Sequence, residues 1–378
     1  MRLLFLTESL KLSSGGPPAA LARVVNECLR RGYDVSVAAI RESGPVVKMD
    51  PACRIAFLCD RYRNPFAWFL AGWHLRELVR HCDVLIVSGI WGPIDGLALS
   101  LIDFGKTRVV IRTCGMLQDA VLKRNPGRKA MARRLYVNRN LRRSAIVIAN
   151  TSHEREQIQR LGISTPVVVI PNGVNLDELS ECKREEARRR FGIGPGSRTL
   201  LYLGRIHEKK GLHLLLPAFS ELKRSNPDWE LLVVGEFANS GYERAIMALL
   251  QSEGAHSGVR FCGQLQGELR DAAYCACDLF VLPSLSEGFS NAVIEALAFR
   301  RPVVITTECN FPEVGESKAG FIATPDVASL SATLATANKR WDELPSMGEN
   351  GRSLMESSYC IGSVVDRYDA MIATLYND

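Results

Sequence analysis

The chain has 378 residues, 47 Lys+Arg against 41 Asp+Glu for a net charge of +6, and is 47% hydrophobic and 23% charged. That length suits two domains, each able to bury its own core, and that balance excludes a disordered or collagen-like chain. No apolar run approaches the ~18–20 residues of a membrane-spanning helix, the richest short stretch being Phe66-Ala67-Trp68-Phe69-Leu70-Ala71-Gly72-Trp73.

In chain order, short β-branched runs alternate with longer helical patterns, which is how parallel sheets covered by helices are written. Strands are predicted at Leu3–Leu6, Asp34–Ala39, Val84–Val87, Val109–Arg112, Ile146–Ala149 and Val167–Ile170, with helices near 17–31, 65–81, 92–104, 128–143 and 153–161. The four apolar residues after Arg2 are too short for a signal-peptide core, so the start is expected to be the first strand. The pattern pauses at Pro171-Asn172-Gly173-Val174-Asn175, a turn signal, and at the charged stretch Lys183–Arg190, and then begins again. Second-half strands are predicted at Thr199–Leu203, Trp229–Val234, Val259–Cys262, Leu279–Leu282, Pro302–Thr306 and Gly320–Ala323. Two doubly wound α/β domains facing across a cleft are therefore expected, 1–173 and 174–361. A last helix, 362–378, carries Val364, Val365, Tyr368, Met371, Ile372 and Leu375 at helical spacing. Spacing alone leaves open which domain that stripe covers; the first is the expectation.

The 11 cysteines are odd in number and scattered, with no Cys-x-x-Cys and only the closer Cys275-Ala276-Cys277. That disfavours a disulfide framework or zinc ribbon and points to a reducing cytoplasm. Gly105-Lys106-Thr107 lacks the earlier glycine of a P-loop, and Gly192-Ile193-Gly194-Pro195-Gly196 precedes its strand, so neither reads as a nucleotide fingerprint.

Three stretches could carry chemistry. Gly15-Gly16 opens the first helix, where backbone N–H groups and the helix dipole suit a phosphate. Arg205 and Lys210 follow the strand Thr199–Leu203, at the carboxyl end where α/β sheets bind ligands; a fork and a point charge together suit a diphosphate. In Ser286-Glu287-Gly288-Phe289-Ser290-Asn291-Ala292-Val293-Ile294-Glu295, one carboxylate stands on a loop and the other about one turn into a helix. Sugar hydroxyls and a ribose diol are natural partners for them, with N–H groups of Gly288, Phe289, Ser290 and Asn291 at the helix start.

These stretches, in this order, resemble the GT-B nucleotide-sugar glycosyltransferases, specifically retaining family four (group 1) of exopolysaccharide type. The family's two glutamates with seven residues between them match Glu287 and Glu295, its interdomain segment Pro171–Asn175, and its diphosphate pair Arg205 and Lys210. The resemblance implies two Rossmann-like domains, with the first binding an acceptor and the second a donor. It implies Arg205 and Lys210 on the donor diphosphate, Glu287 on the donor sugar and Glu295 on the ribose. Gly15 and Gly16 would reach the phosphate, and Gly263 and Leu265 would lie in the base-binding loop. No Asp-x-Asp occurs, in keeping with a family that needs no metal; a UDP-sugar is the expected donor, glucose before GDP-mannose, and no other cofactor is implied. One departure is Thr113-Cys114-Gly115, where the family often places His or Arg before the glycine. Cys114 is then a small loop residue or an orienting group, with Asp119 and His153 as reserves.

From Lys123 to Arg143 there are nine basic residues and no acidic one, with Ala130, Met131, Leu135, Val137 and Leu141 between them. The segment reads as an amphipathic helix that is either a solvated face or a dock for anionic lipid, at ~1 kcal/mol per basic residue. Lipid suits a peripheral enzyme at the inner face of a plasma membrane with a polyprenyl-diphosphate-linked or other glycan acceptor. Aromatic residues are too sparse there for nucleic acid, Tyr136 being alone. Phe66, Trp68, Phe69 and Trp73 form an aromatic cluster that is core or an acceptor platform. Two rivals share the fold: a sugar-nucleotide epimerase, and a nucleotide-binding protein without transferase activity.

Overall fold

A computed structural model describes residues 1–12, 16–60, 65–92, 96, 99, 102–123, 125–252 and 258–377, with Asp60, Pro65–Phe69 and Ala120 described by backbone alone. The β-branched runs pair as parallel strands. In the first half these are β1 (Arg2–Thr7), β2 (Asp34–Arg41), β3 (Arg54–Asp60), β4 (Val84–Ser88), β5 (Arg108–Arg112), β6 (Ile146–Ala149) and β7 (Val167–Val169). They form one seven-stranded sheet in the order β3-β2-β1-β4-β5-β6-β7. In the second half β8 (Arg198–Leu203), β9 (Trp229–Val234), β10 (Val259–Phe261), β11 (Leu279–Leu282), β12 (Val303–Thr306) and β13 (Gly320–Ala323) form a six-stranded sheet in the order β10-β9-β8-β11-β12-β13. Both orders are those of the doubly wound fold, reversing direction once beside the first strand of the sheet.

Every predicted strand is present within a residue or two, and β3 is the strand that sequence reading missed. Arg54-Ile55-Ala56-Phe57-Leu58-Cys59-Asp60 is an edge strand, and of its apolar side chains only Leu58 is buried, so it lacks the continuous apolar run of its neighbours.

The chain divides into two compact units, Met1–Gly173 with Ile361–Asp378, and Val174–Cys360. In the first, alternate strand residues feed opposite faces. Leu3, Phe5, Val35, Val37, Val84 and Ile86 meet the helix Gly16–Arg30 on one side, and Leu4, Leu6, Leu85, Val87, Val109 and Ile111 form the other core. The terminal helix Ile361–Thr374 lies on the first of these faces, where Val364, Val365, Tyr368, Met371 and Ile372 are buried. Arg31 fastens it, donating to Asp366 (2.7 Å), Asp369 (2.6 Å) and the Gly362 carbonyl (2.8 Å) while also pairing with Glu27 on its own helix. The second unit has one core, which runs from Leu200 and Leu201 through Trp229 and Tyr274 to Met355 and Tyr359.

The basic segment is helical but not one regular helix: Pro126–Ala132 and Asn138–Arg143 flank a π-helical turn, Arg133–Val137. The wider turn rotates the face, so Val137 and Leu141 are buried whereas Met131 (60%) and Leu135 (65%) are exposed. Of the aromatic cluster, Trp73 is exposed, and the side chains of Phe66, Trp68 and Phe69 lie outside the described residues.

Candidate functional site

In the second sheet the switch point falls between β8 and β11, which pair in parallel, and the loops leaving their carboxyl ends meet there. The β8 loop closes as a 3₁₀ turn, Glu208–Lys210, started by His207, whose ring nitrogen accepts from the Lys209 N–H at 3.1 Å. It ends at Gly211 in the left-handed conformation (φ 71°). A Cβ at Gly211 would lie 1.9 Å from the Pro283 carbonyl oxygen, so glycine is required for both its φ and the approach of the β11 loop. Leu285 N–H then donates to the Lys209 carbonyl (2.7 Å), sealing one loop on the other.

That closure brings Lys210 Nζ to 2.6 Å from Glu287 Oε1, the two side chains being 26% and 10% exposed. Ser284 Oγ donates to the same carboxylate oxygen at 2.6 Å, and Asn310 and Glu308 hold the Glu287 backbone (2.9 and 3.0 Å). Arg205 is exposed on the same loop as Lys210, and no side-chain bond or ion pair fixes it among the described residues. The arrangement offers one cation already placed, a second exposed on the same loop, and a nearly buried carboxylate. Such a set can receive a diphosphate and the hydroxyls of the group attached to it.

Glu295 occupies a different place. It lies five residues into the helix Asn291–Ala298, 5% exposed, accepting from the Tyr274 hydroxyl (3.2 Å) and paired with Arg270 (3.6 Å). Burial, and after it the charge of Glu295, push the Tyr274 phenol far above its ordinary range, so it stays a donor. Ser290 and Asn291 begin that helix and Gly288 precedes them. The Phe289 ring is turned inward against Phe311 and Tyr359 (5.2 and 5.7 Å), so its expected contribution reduces to its backbone. Gly263 follows β10 at φ 67°, accepting from Gly235 N–H (2.8 Å), with exposed space where a Cβ would be; Leu265 is half-buried against the core.

In the first unit Gly16 is the first residue of its helix, while Gly15 lies outside the described residues. The loop after β5 is more constrained than its sequence suggests. Cys114 has φ 52°, a left-handed conformation that a side chain other than Gly, Asn or Asp seldom adopts. The residues on either side of it are held by Glu154. Fully buried, it accepts from Thr113 Oγ1 (2.6 Å), Gly115 N–H (2.5 Å) and Asn150 N–H (2.7 Å). Burial pushes its carboxyl up, against those three hydrogen bonds. Sequence reading passed over Glu154, although Thr151-Ser152-His153-Glu154 is a helix-capping pattern; Thr151 does cap the helix Ser152–Arg160, and the glutamate is diverted to the neighbouring loop. Arg112 was likewise missed. Buried at the end of β5, it donates to Asn150 (3.0 Å), Asn172 (2.7 Å) and the Ile170 carbonyl (3.4 Å), holding the segment that leads out of this unit. Asp119 and His153 are both exposed, and His153 meets Gln157 at 2.9 Å.

The basic segment forms a groove of about 430 Å³ lined by Ala130, Arg133, Arg134, Asn138, Arg139 and Arg142. Lys129 instead turns back onto the Val121 carbonyl and over the Trp91 ring (5.6 Å). Arg124 lies outside the described residues.

Residues 183–354 match the family model described as Glycosyl transferases group 1, and residues 14–178 that of Glycosyltransferase Family 4. A D-inositol 3-phosphate glycosyltransferase of Rhodococcus erythropolis is 27% identical over 360 residues, 88% of this chain and 81% of its own. That of Segniliparus rotundus is 31% identical over 198 residues, 52% of this chain and 42% of its own length, so the match spans less than half of that relative. Among solved structures, sucrose-phosphate synthase of Thermosynechococcus elongatus is similar with a TM-score of 0.81 at 18% identity, covering 100% of this chain and 99% of the other. Anabaena HepE, solved with UDP and glucose, has a TM-score of 0.81 at 16% identity over 99% of both chains. The shared architecture is GT-B, two Rossmann-like parallel sheets.

Proposed function

We propose that this chain, which belongs to the GT-B glycosyltransferases of family four and group 1, transfers a hexose from a nucleoside-diphosphate sugar to a phosphate-bearing glycan or lipid-linked acceptor. UDP-glucose is the donor assigned first, because HepE was solved with it. The observation that carries the reading is the Lys210–Glu287 contact of 2.6 Å at the switch point of the second sheet. A diphosphate seated there displaces the Glu287 carboxylate from Lys210. Arg205 and Lys210 then neutralise the charge that grows on the leaving diphosphate, a role basic side chains fill without a divalent ion. Glu287, released from Lys210, accepts from the sugar hydroxyls, and Glu295 from the ribose.

In the assigned step the C1–O bond to the diphosphate breaks and the acceptor oxygen bonds to C1 on the same face. The acceptor proton passes to the departing phosphate oxygen. The groove of Arg133, Arg134, Arg139 and Arg142 favours an acceptor that carries phosphate, either a polyprenyl-diphosphate-linked saccharide at the inner face of a membrane, in polysaccharide assembly, or an inositol phosphate, as the relatives' names suggest.

The test is a thermal-shift panel of UDP, GDP, ADP and TDP with and without EDTA, followed by proton NMR of the product formed from UDP-glucose. A nucleotide at a hundredfold over its dissociation constant adds ~2.7 kcal/mol of stability. A UDP-selective shift that EDTA leaves intact, and a product with the donor's anomeric configuration, are expected. Arg205→Ala is expected to cost about 1.5–3 kcal/mol of UDP binding as a lost charge-assisted contact. Absence of a shift with every diphosphate, or an inverted product, would overturn the reading.

A further inference from the structure

Lys210 reaches Glu287 from a short span of backbone between two fixed points. Before the span, Ile206 is bound to the loop after β9, donating to the Glu236 carbonyl (2.8 Å) and accepting from Ala238 N–H (2.9 Å). After it, Gly211 lies against the Pro283 carbonyl and opens the helix Leu212–Ser225, accepting from Leu214 N–H (2.8 Å). His207, Glu208, Lys209 and Lys210 bridge these points as one 3₁₀ turn with its cap. A turn that short gains little from its own backbone bonds, because ordering it costs more entropy than one bond returns. Lys210 N–H donates to the His207 carbonyl (2.8 Å) and Gly211 N–H to that of Glu208 (3.1 Å), while the Lys209 carbonyl accepts from Leu285 N–H of the β11 loop (2.7 Å). Lys209 N–H belongs to the first donors of the turn, which have no acceptor within it, and Nδ1 of the His207 ring takes it at 3.1 Å. His207 is half-buried, with the extended backbone of an N-cap (φ −139°, ψ 151°). Lys209 is therefore held on both sides, its N–H by His207 and its carbonyl by Leu285. The next side chain leaves in one direction: Lys210 Cε lies 4.0 Å from the place a Cβ would take at Gly204, and Nζ lies 2.6 Å from Glu287.

We propose, on the premise that Lys210 meets a donor diphosphate, that His207 is a positioning residue for that lysine, acting through the cap that Nδ1 places on Lys209 N–H. In this role the ring makes no bond to the phosphate; it fixes the peptide from which the cation extends. Because Nδ1 accepts, the proton of the neutral ring is on Nε2, and the δ nitrogen alone does the holding. Without the cap the span from Ile206 to Gly211 has more than one path open to it, and the bond from Leu285 loosens. The fraction of molecules with Lys210 in place falls, and the apparent affinity for the diphosphate falls with that fraction. Arg205 stands before Ile206, outside the capped span.

The experiment is calorimetric titration of the full chain and its variants with UDP. His207→Ala is expected to weaken UDP about 2–30-fold, the range of a lost cap. His207→Asn keeps an acceptor at the δ position and has no group at ε, and is expected to bind as the native chain does. His207→Gln has the reverse, and should fail as alanine does. In a Lys210→Ala background, His207→Ala should cost nothing further, whereas beside Arg205→Ala the two losses should multiply; a general loosening of the unit would weaken both backgrounds alike. Amide exchange of the ligand-free chain, read on peptides covering 207–212 and 284–288, should quicken in the alanine and glutamine variants and not in the asparagine one. Rescue by Gln and not by Asn would show that the ring meets the ligand itself and would overturn the proposal, as would losses that multiply in the Lys210→Ala background. If the native chain bound no nucleoside diphosphate, the donor reading would fall, and exchange would decide the cap on its own: quickened in His207→Ala and restored in His207→Asn it stands, unchanged in His207→Ala it is refuted.

Discussion

Lys210 and Glu287 stand in contact although 77 positions separate them in the chain, and the two carboxylates of one short motif have separate environments. Glu287 faces a cation on a loop; Glu295 is anchored to Arg270 and Tyr274 inside the unit. Glu287→Ala is therefore expected to abolish transfer while UDP binds as tightly as before or tighter, since Lys210 loses its counter-ion; Glu295→Ala should weaken UDP itself. Calorimetric titration with UDP distinguishes them, and equal losses of affinity would refute the division. Glu154 offers a test of a different kind. Its folded-state pKa is raised by burial, so the folded chain holds that proton more tightly than the unfolded chain, and stability falls as pH rises from the ordinary glutamate range through the folded value. Glu154→Gln lacks this dependence. The variant should be less stable by about 1–3 kcal/mol for a disrupted buried hydrogen-bond set, and urea unfolding at pH 5 and pH 7.5 should show the gap narrowing at the higher pH.

Elements set these residues in place through backbone geometry more than through side-chain chemistry. The turn Glu208–Lys210 and the β11 loop approach so closely that Gly211 has no room for a methyl group beside Pro283, and Gly235 has none beside Gly204 (1.9 Å from its carbonyl oxygen). Gly211→Ala is expected to destabilise by at least about 1–2 kcal/mol from the left-handed backbone alone. It should also reduce UDP affinity, because relief of the clash moves Lys210 away from Glu287. Unchanged UDP affinity in a folded Gly211→Ala protein would show that the loop contact does not position the lysine. The π-helical turn at Arg133–Val137 works the same way in the first unit, redirecting arginines that a regular helix would have spread around its axis.

At the scale of the whole molecule, the last helix completes the first unit, not the one that precedes it in sequence. Tyr368 is buried beneath it, its hydroxyl 3.4 Å from Arg112. Tyr368→Ala should cost about 3–5 kcal/mol as a large core truncation. Hydrogen exchange should show the loss of protection across residues 1–173 and 361–377, with 174–360 unaffected. A uniform loss over both units would mean that they unfold as one.

The alternation of short β-branched runs with helical stretches determined the doubly wound sheets and nearly every strand, because burial on both faces forces continuous apolar sequence. The spacing of Glu287 and Glu295 and the cations after β8 likewise pointed to a candidate site, since loops at the carboxyl ends of parallel strands are where such folds bind ligands. β3 escaped because an edge strand buries too little to be written in apolar residues. Only tertiary structure decided that Glu287 meets Lys210, that Phe289 turns into the core, and that Glu154 holds Thr113 and Gly115 on either side of Cys114. Each of these depends on strand order and loop approach, and a linear pattern carries the periodicity of one element but not the distance between two.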